Sequence, residues 1–161
     1  MQIFRISRRK LLVGMSLAST AFASQPASYA QEFPEMTVTK DPSCGCCSAW
    51  IEHIRRAGFS VKVIESDEMT KFKTKLGVPM RLASCHTAEI GSYVVEGHVP
   101  AQTIRRLLSE KPLGRGLAVP GMPVGSPGME TIGVEPDTYD VVLFGEAGER
   151  RFARYKGSVL L

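Results

Sequence analysis

The chain concentrates its thiols in two short segments. Cys44, Cys46 and Cys47 lie within four consecutive residues, and the fourth cysteine, Cys85, is followed directly by His86. If the fold brings these segments together, every cysteine of the chain converges on one place. Thiolate sulfur is a soft ligand that selects Cu(I), so this spacing predicts a soft-metal site.

Copper is the metal that this ligand set favours. Cu(I) accepts two or three sulfur ligands without requiring a tetrahedron, which suits cysteines that are adjacent in the chain. Four cysteines offer more sulfur than one such ion needs, so we hypothesise a polynuclear site with bridging thiolates. A structural zinc site of three cysteines and one histidine is the less favoured alternative.

The outer pair of the cluster also fits a different chemistry. Cys44 and Cys47 form a Cys-x-x-Cys motif, in which a thiol–disulfide oxidoreductase would use Cys44 as nucleophile and Cys47 as resolving thiol. Such an enzyme needs neither Cys46 nor Cys85, so the sequence favours metal binding and leaves open whether the protein is an enzyme. Two structural disulfides are a further alternative. The adjacency of Cys46 and Cys47 disfavours it, because a bridge between neighbours is strained.

Histidine and methionine side chains are candidates for additional ligands. His86 adjoins a cysteine, and Met122 and Met129 provide soft thioether sulfur in a region rich in glycine and proline. His98 precedes a proline-led helix, and the sequence leaves open whether it binds metal or makes an ordinary hydrogen bond. His53 lies about two helical turns beyond the cysteines and is not expected to be a ligand.

Residues 1–30 have the features of an export signal. A basic stretch that contains Arg8-Arg9 precedes a modestly apolar run that is too short to span a bilayer. Ser28 and Ala30 are small residues at the positions that a signal peptidase reads, so we expect cleavage after Ala30. The arginine pair resembles a twin-arginine signal, which predicts a periplasmic protein with no stable membrane span after cleavage. The alternative is an uncleaved anchor helix.

Removal of this segment changes the charge of the protein. The first 30 residues hold four of the 20 basic residues and none of the 16 acidic ones, which leaves 16 of each. The mature chain, residues 31–161, is formally neutral and gives no support to nucleic-acid binding. Its length suits one domain with a hydrophobic core of its own.

Strand and helix patterns alternate along the mature chain. They predict strands over 36–40, 60–66, 82–85 and 93–96, helices over 47–57, 67–76 and 100–109, and a C-terminal hairpin of strands 139–144 and 151–155. Residues 114–133 hold six glycines and three prolines, and we expect a long loop there that covers or builds a site. In the second helix, Lys71, Lys73 and Lys75 are predicted to form a solvated face.

The order of these elements indicates an α/β fold of thioredoxin-like type, with a central mixed sheet flanked by helices. A strand precedes the cysteines, the cysteines open the first helix, and Pro79 precedes the strand expected to face them. The partial positive charge at a helix N-terminus lowers thiol pKa values, so we expect thiolates in this cluster at neutral pH. This effect favours metal binding and redox exchange equally.

Four stretches of the chain, in order, resemble motifs of the periplasmic metal-binding proteins of CopG type, a family long catalogued as a domain of unknown function. They are Asp41–Cys47, Ser84–Thr87, Glu96–Pro100 and Gly116–Pro123. The resemblance implies a thioredoxin-like fold that binds copper through its cysteines and takes part in copper resistance. It also implies copper ions and other periplasmic copper-handling proteins as partners. It does not imply an established catalytic activity.

Overall fold

Strands and helices alternate along the part of the chain that the structure, a computed structural model, describes, which is residues 33–161. The predicted export signal, residues 1–30, lies outside the described residues. The strands are β1 (Met36–Lys40), β2 (Val61–Glu65), β3 (His86–Ile90), β4 (Tyr93–Glu96), β5 (Gly116–Ala118), β6 (Thr138–Gly145), β7 (Gly148–Lys156) and β8 (Val159–Leu160). The helices are α1 (Gly45–Arg56), α2 (Met69–Lys75), α3 (Ala101–Glu110) and a short 3-10 helix (Met80–Leu82).

These strands form one mixed sheet in the order β2-β1-β3-β4-β5-β6-β7-β8. β1 pairs in parallel with β2, and β4 pairs in parallel with β5. All other neighbouring strands are antiparallel. The expected α/β architecture with a mixed sheet is therefore confirmed.

Helices cover both faces of this sheet. Val95 belongs to an apolar cluster that includes buried residues of α1 and α3. Its neighbour Val94 belongs to a second cluster, which is completed by Phe72 of α2 and by Leu76. Because successive residues of a strand point to opposite faces, the two clusters lie on opposite sides of the sheet.

The helix that carries the cysteines is fixed by its apolar face. Cys47, Trp50 and Ile54 recur at helical spacing and are fully buried. Trp50 Nε1 also donates a hydrogen bond to the carbonyl oxygen of Val99 at 3.0 Å, which ties the helix to the segment before α3. The predicted helix over 47–57 is confirmed, and it begins two residues earlier, at Gly45.

The strand predicted over 82–85 is wrong. The chain turns through a 3-10 helix after Pro79, whose carbonyl accepts from Leu82 N at 2.8 Å, and β3 begins only at His86. Leu82 is 5% exposed and packs in the cluster beneath α2. The turn therefore buries Leu82 and places Cys85 immediately before the first residue of β3.

The prediction of an irregular segment throughout 114–133 is wrong at Gly116–Ala118, which form β5. This strand pairs with β4 on one side and with β6 on the other. A Cβ atom at Gly116 would lie 1.8 Å from the carbonyl oxygen of Val94. Here glycine permits close approach of two strands and does not mark a break.

The C-terminal hairpin forms as β6 and β7, each longer than predicted, and a short strand that the sequence did not indicate, β8, follows it.

Among the described residues, no helix combines the length and the apolar character needed to cross a bilayer.

The prediction of a fully solvated lysine face on α2 is wrong at Lys73. Lys71 is exposed as expected, but Lys73 is 4% exposed, and its Nζ lies 2.8 Å from Thr87 Oγ1 and 2.6 Å from Glu96 Oε1. The helix thus sends one ammonium group into the sheet, where a carboxylate neutralises it.

Candidate metal centre

Three cysteines lie at the start of α1. Cys44 is the N-cap residue and makes no side-chain capping hydrogen bond, and Cys46 and Cys47 occupy the first turn. Cys44 and Cys47 are joined by a disulfide whose Cα atoms are 5.5 Å apart. Because these two cysteines do not titrate in this form, the expected lowering of their thiol pKa values stays a prediction.

Cys46 occupies the centre of the sulfur cluster. Its Sγ lies 3.6 Å from Cys44 Sγ and 3.8 Å from Cys85 Sγ, and it is a free thiol, as is Cys85. The sulfurs of all four cysteines lie within 4.8 Å of one another. The structure therefore brings together the two cysteine segments that the sequence analysis singled out. The alternative of two structural disulfides is not met, because Cys44 and Cys47 form one disulfide and Cys46 and Cys85 remain free thiols.

Two histidines extend the cluster on the side of Cys85. The Cys85 Sγ atom lies 3.1 Å from His98 Nε2 and 3.4 Å from His86 Nδ1. His98 Nδ1 lies 2.8 Å from the carbonyl oxygen of Pro127. A carbonyl only accepts, so Nδ1 carries the proton and, in the neutral ring, Nε2 presents its lone pair to Cys85. Cys85, His86 and His98 thus form a second group of potential ligands.

His98 is the residue that sequence analysis left undecided. It follows Gly97, whose φ is +71°, and a Cβ atom at Gly97 would lie 2.6 Å from the side chain of Ser84. The glycine allows the chain to pass close to the segment that carries Cys85, which delivers the His98 ring to the sulfur. In the sequence, the motif Gly97-His98 shortly before Pro100 was the feature that could have indicated this position of His98.

His86 lies beneath the cluster and is fully buried. Its ring is 4.2 Å from the Trp50 ring and 5.1 Å from the His98 ring, measured between centroids. The Nε2 atom has no hydrogen-bond partner among the described residues. Burial, with the nearby His98 and Lys73, holds the pKa of His86 well below its ordinary value of 6.5. This imidazole is therefore neutral at physiological pH and retains a lone pair.

The Cys85 thiol differs electrostatically from an ordinary cysteine. Burial, followed by the neighbouring Cys46 thiol, raises the pKa of Cys85 to about 12. Without metal, this group is therefore protonated at neutral pH. A cation that bound here as thiolate complex would displace the proton, so binding would release acid.

The glycine- and proline-rich loop lies against the start of α1. A Cβ atom at Gly128 would lie 2.6 Å from Trp50 N and 3.1 Å from the carbonyl oxygen of Cys46, and Gly128 has a φ of +83°. On the same loop, Met122 Sδ lies 3.9 Å from Cys46 Sγ, and Met122 is 52% exposed. The loop therefore adds a thioether to the outer side of the sulfur cluster.

The other methionine and the third histidine have different surroundings. Met129 is half-buried; its N donates to the Ser126 carbonyl at 2.8 Å, and its own carbonyl accepts from Gly125 N at 2.9 Å. These bonds shape the loop, and a ligand role for Met129 stays a prediction. His53 Nε2 accepts from Ala101 N at 3.1 Å, outside both groups of potential ligands.

The buried histidines predict acid-sensitive stability of the copper-free protein. Burial lowers the pKa of His86 and of His98, so these rings stay neutral in the folded chain while the unfolded chain protonates them below pH 6.5. The unfolded state then binds more protons, and the free energy of unfolding falls as pH decreases. His86 alone should remove about 1 kcal/mol between pH 6.5 and 5.5.

Urea unfolding of the copper-free protein at several pH values tests this. Burial also lowers the pKa of His53, which adds to the same fall in stability. The lowered pKa values of Asp41 and Glu135 act only in more acidic solution, below their ordinary values of 3.8 and 4.5. A midpoint that does not change between pH 7.5 and 5.5 would show that the imidazoles are not buried in neutral form.

Comparisons with known proteins identify one matching family and two similar solved structures. A family described as "Protein of unknown function, DUF411" matches residues 82–129. The solved structure of "Copper resistance protein copG- Form 1" is 45% identical, with a TM-score of 0.72, and covers 78% of this chain and 100% of that chain. "Copper resistance protein copG- Form 2" is 44% identical, with a TM-score of 0.70, and covers 76% and 98%. No curated protein matches the chain.

Proposed function

Since the chain belongs to the CopG-type family of copper resistance proteins, we propose that it binds Cu(I) through Cys44, Cys46, Cys47 and Cys85. The observation that carries this proposal is the convergence of four sulfurs within 4.8 Å, from segments about 40 residues apart. Two of these sulfurs, those of Cys46 and Cys85, are free thiols. A cluster of soft donors at this density suits Cu(I).

Full use of the site requires the reduced protein. The Cys44–Cys47 disulfide takes up two electrons and two protons from a dithiol reductant, which is itself oxidised to a disulfide, and both thiols are then available. Cu(I) binding to the four thiols replaces their protons. Because its thiol pKa is raised, Cys85 contributes a proton that is released only on binding.

The ligand set has two chemically different ends. Cys46 and Met122 form an outer end made of sulfur, and Cys85 with His86 and His98 forms an inner end that combines sulfur and nitrogen. More donors are present than one Cu(I) ion needs, which supports a polynuclear site with thiolate bridges. Zinc suits three cysteines and a histidine but not a thioether, so copper is favoured over zinc.

Thiol–disulfide or copper-dependent redox catalysis is the second candidate function. The Cys44–Cys47 disulfide at the start of a helix is the observation that favours it. The free Cys46 thiol, 3.6 Å from Cys44 Sγ, has no role in a simple two-cysteine cycle. We therefore place metal binding first, and redox exchange as a property of the same site.

The order of the elements and the N-terminal segment also bear on the function. The order β1-α1-β2-α2-β3-β4-α3, with the cysteines at the start of α1 and Pro79 ahead of β3, supports a thioredoxin-like fold. The sequence of residues 1–30 supports export, so we propose a periplasmic domain of residues 31–161. Its proposed role is copper resistance or homeostasis, in exchange with other periplasmic copper-handling proteins.

Titration of the reduced protein with Cu(I), without oxygen and against a competing chelator, tests the proposal. We expect more than one copper to be retained per chain and all four thiols to become unreactive toward a thiol reagent, with release of protons. Loss of all copper to the chelator, while Cys44 and Cys47 still cycle between thiol and disulfide, would favour the oxidoreductase.

A further inference from the structure

A buried ion pair lies directly behind the segment Ser84–Thr87. The side chains of Glu96, in β4, and Lys73, in α2, are 0% and 5% exposed, and Glu96 Oε1 lies 2.6 Å from Lys73 Nζ. Charged side chains are rarely buried, and a buried pair is often no more stable than apolar residues of the same size. Stability alone therefore does not account for this pair.

The Glu96 carboxylate holds both ends of the segment. Glu96 Oε1 accepts a hydrogen bond from Ser84 N at 2.6 Å, and Glu96 Oε2 accepts one from Thr87 Oγ1 at 2.7 Å. The Thr87 hydroxyl accepts in turn from Lys73 Nζ at 2.8 Å, so its own proton is left for Glu96. The two anchored residues flank Cys85 and His86, the residues that belong to the site.

The bond to Ser84 replaces one that the sheet does not supply. The pairing of β3 with β4 runs from Thr87 opposite Glu96 to Ile90 opposite Tyr93, so Ser84 N lies beyond the end of the ladder. A backbone N–H that is withdrawn from water needs an acceptor, and the Glu96 side chain provides it. The position of the backbone just before Cys85 thus depends on a side chain from the neighbouring strand.

We propose that Glu96 is a positioning residue of the copper site, which fixes the Cys85 sulfur through Ser84 and Thr87, with Lys73 as its neutralising partner. The inference rests on the proposed function. Cys85 Sγ lies 3.8 Å from Cys46 Sγ and is the sulfur that joins the α1 cysteines to the histidines. Displacement of Cys85 would separate the cysteines of α1 from the two histidines.

Two double variants separate the hydrogen bonds from the charge. Lys73→Met/Glu96→Leu replaces the ion pair with apolar side chains, a change that buried pairs often tolerate, and removes both anchors. Lys73→Met/Glu96→Gln removes the same charges but keeps an amide oxygen that can accept from Ser84 N. We expect at least about tenfold faster alkylation of Cys85 in the leucine variant than in the glutamine variant, in reduced copper-free protein.

The same comparison in copper-loaded protein gives a second readout. Cu(I) should dissociate at least about tenfold faster from the leucine variant than from the glutamine variant. Thr103→Val is the matched control, because it removes the buried contact of 2.6 Å between Thr103 Oγ1 and Tyr155 Oη, and neither residue belongs to the groups of potential ligands. Cys85 alkylation should be unchanged by Thr103→Val even where it lowers the unfolding temperature.

Equal alkylation rates of Cys85 in the two double variants would overturn the proposal. If the leucine variant does not fold, Thr87→Val removes the bond to Glu96 Oε2 and the one from Lys73 Nζ but keeps the bond from Ser84 N to Glu96 Oε1. It should speed alkylation about threefold relative to Thr103→Val. Equal rates in that pair would overturn it likewise. Failure of the unaltered protein to bind Cu(I) would reject the proposed function instead, since the alkylation comparison uses no copper.

Discussion

Cys46→Ser should lower copper affinity by at least about 100-fold. Cys46 Sγ is within 4 Å of the sulfurs of Cys44, Cys85 and Met122, so its loss removes the centre of the cluster. Loss of a group that only supports a metal ligand costs about 10–100-fold in affinity, and loss of a bridging ligand should cost more. Competition between the variant and a chelator of known Cu(I) affinity measures the change.

The same variant separates metal binding from disulfide exchange. The Cys44–Cys47 disulfide does not involve Cys46, so its formation and reduction should survive the substitution. Ser48→Ala, at an exposed position of the same helix, is the control and should bind copper normally. Unchanged copper stoichiometry in Cys46→Ser would contradict the site described above.

Gly116→Ala should have the largest effect on folding. The added Cβ atom would lie 1.8 Å from the carbonyl oxygen of Val94 and 2.7 Å from its carbonyl carbon, both backbone atoms of the adjacent strand. β5 is paired on both sides, so neither neighbour can yield without loss of sheet hydrogen bonds. We expect a loss of about 3 kcal/mol or more in the free energy of unfolding, a large part of the stability of a domain of this size.

Urea unfolding, together with the yield of soluble protein, measures this loss. Gly45→Ala is the matched control, because no atom lies within 4 Å of the position that its Cβ would take and alanine is favoured over glycine in a helix. Gly45→Ala should leave stability unchanged or raise it. Equal midpoints for the two variants would mean that β5 is not held between its neighbours as described.

The convergence of the four cysteines could be predicted from sequence more fully than the bounds of the strands could. Cys44, Cys46 and Cys47 are placed by local helix geometry, and helical spacing at Trp50 and Ile54 reveals that geometry directly. Their proximity to Cys85 could be predicted because a strand was expected after Pro79, facing the start of the first helix. The Cys-x-x-Cys spacing singled out Cys44 and Cys47 as the pair for redox exchange, and these are the two cysteines that the disulfide joins.

The features that the sequence did not reveal depend on distant contacts. β5 forms a strand because it pairs with β4 on one side and with β6 on the other. From the local sequence alone, Gly116 predicts a turn. Lys73 and Lys71 are both lysines of α2, and Lys71 is exposed, whereas Lys73 forms an ion pair with the buried Glu96 of β4. The position of His98 beside the cluster likewise depends on a contact with Cys85, 13 residues earlier in the chain.

X-ray absorption at the copper edge, combined with a count of free thiols on reduced protein loaded with Cu(I) without oxygen, would show directly whether the four cysteines hold copper. We expect a first shell dominated by sulfur, a short copper–copper distance and no free thiol among the four cysteines. A first shell of nitrogen and oxygen, with Cys46 and Cys85 still reactive as free thiols, would contradict it.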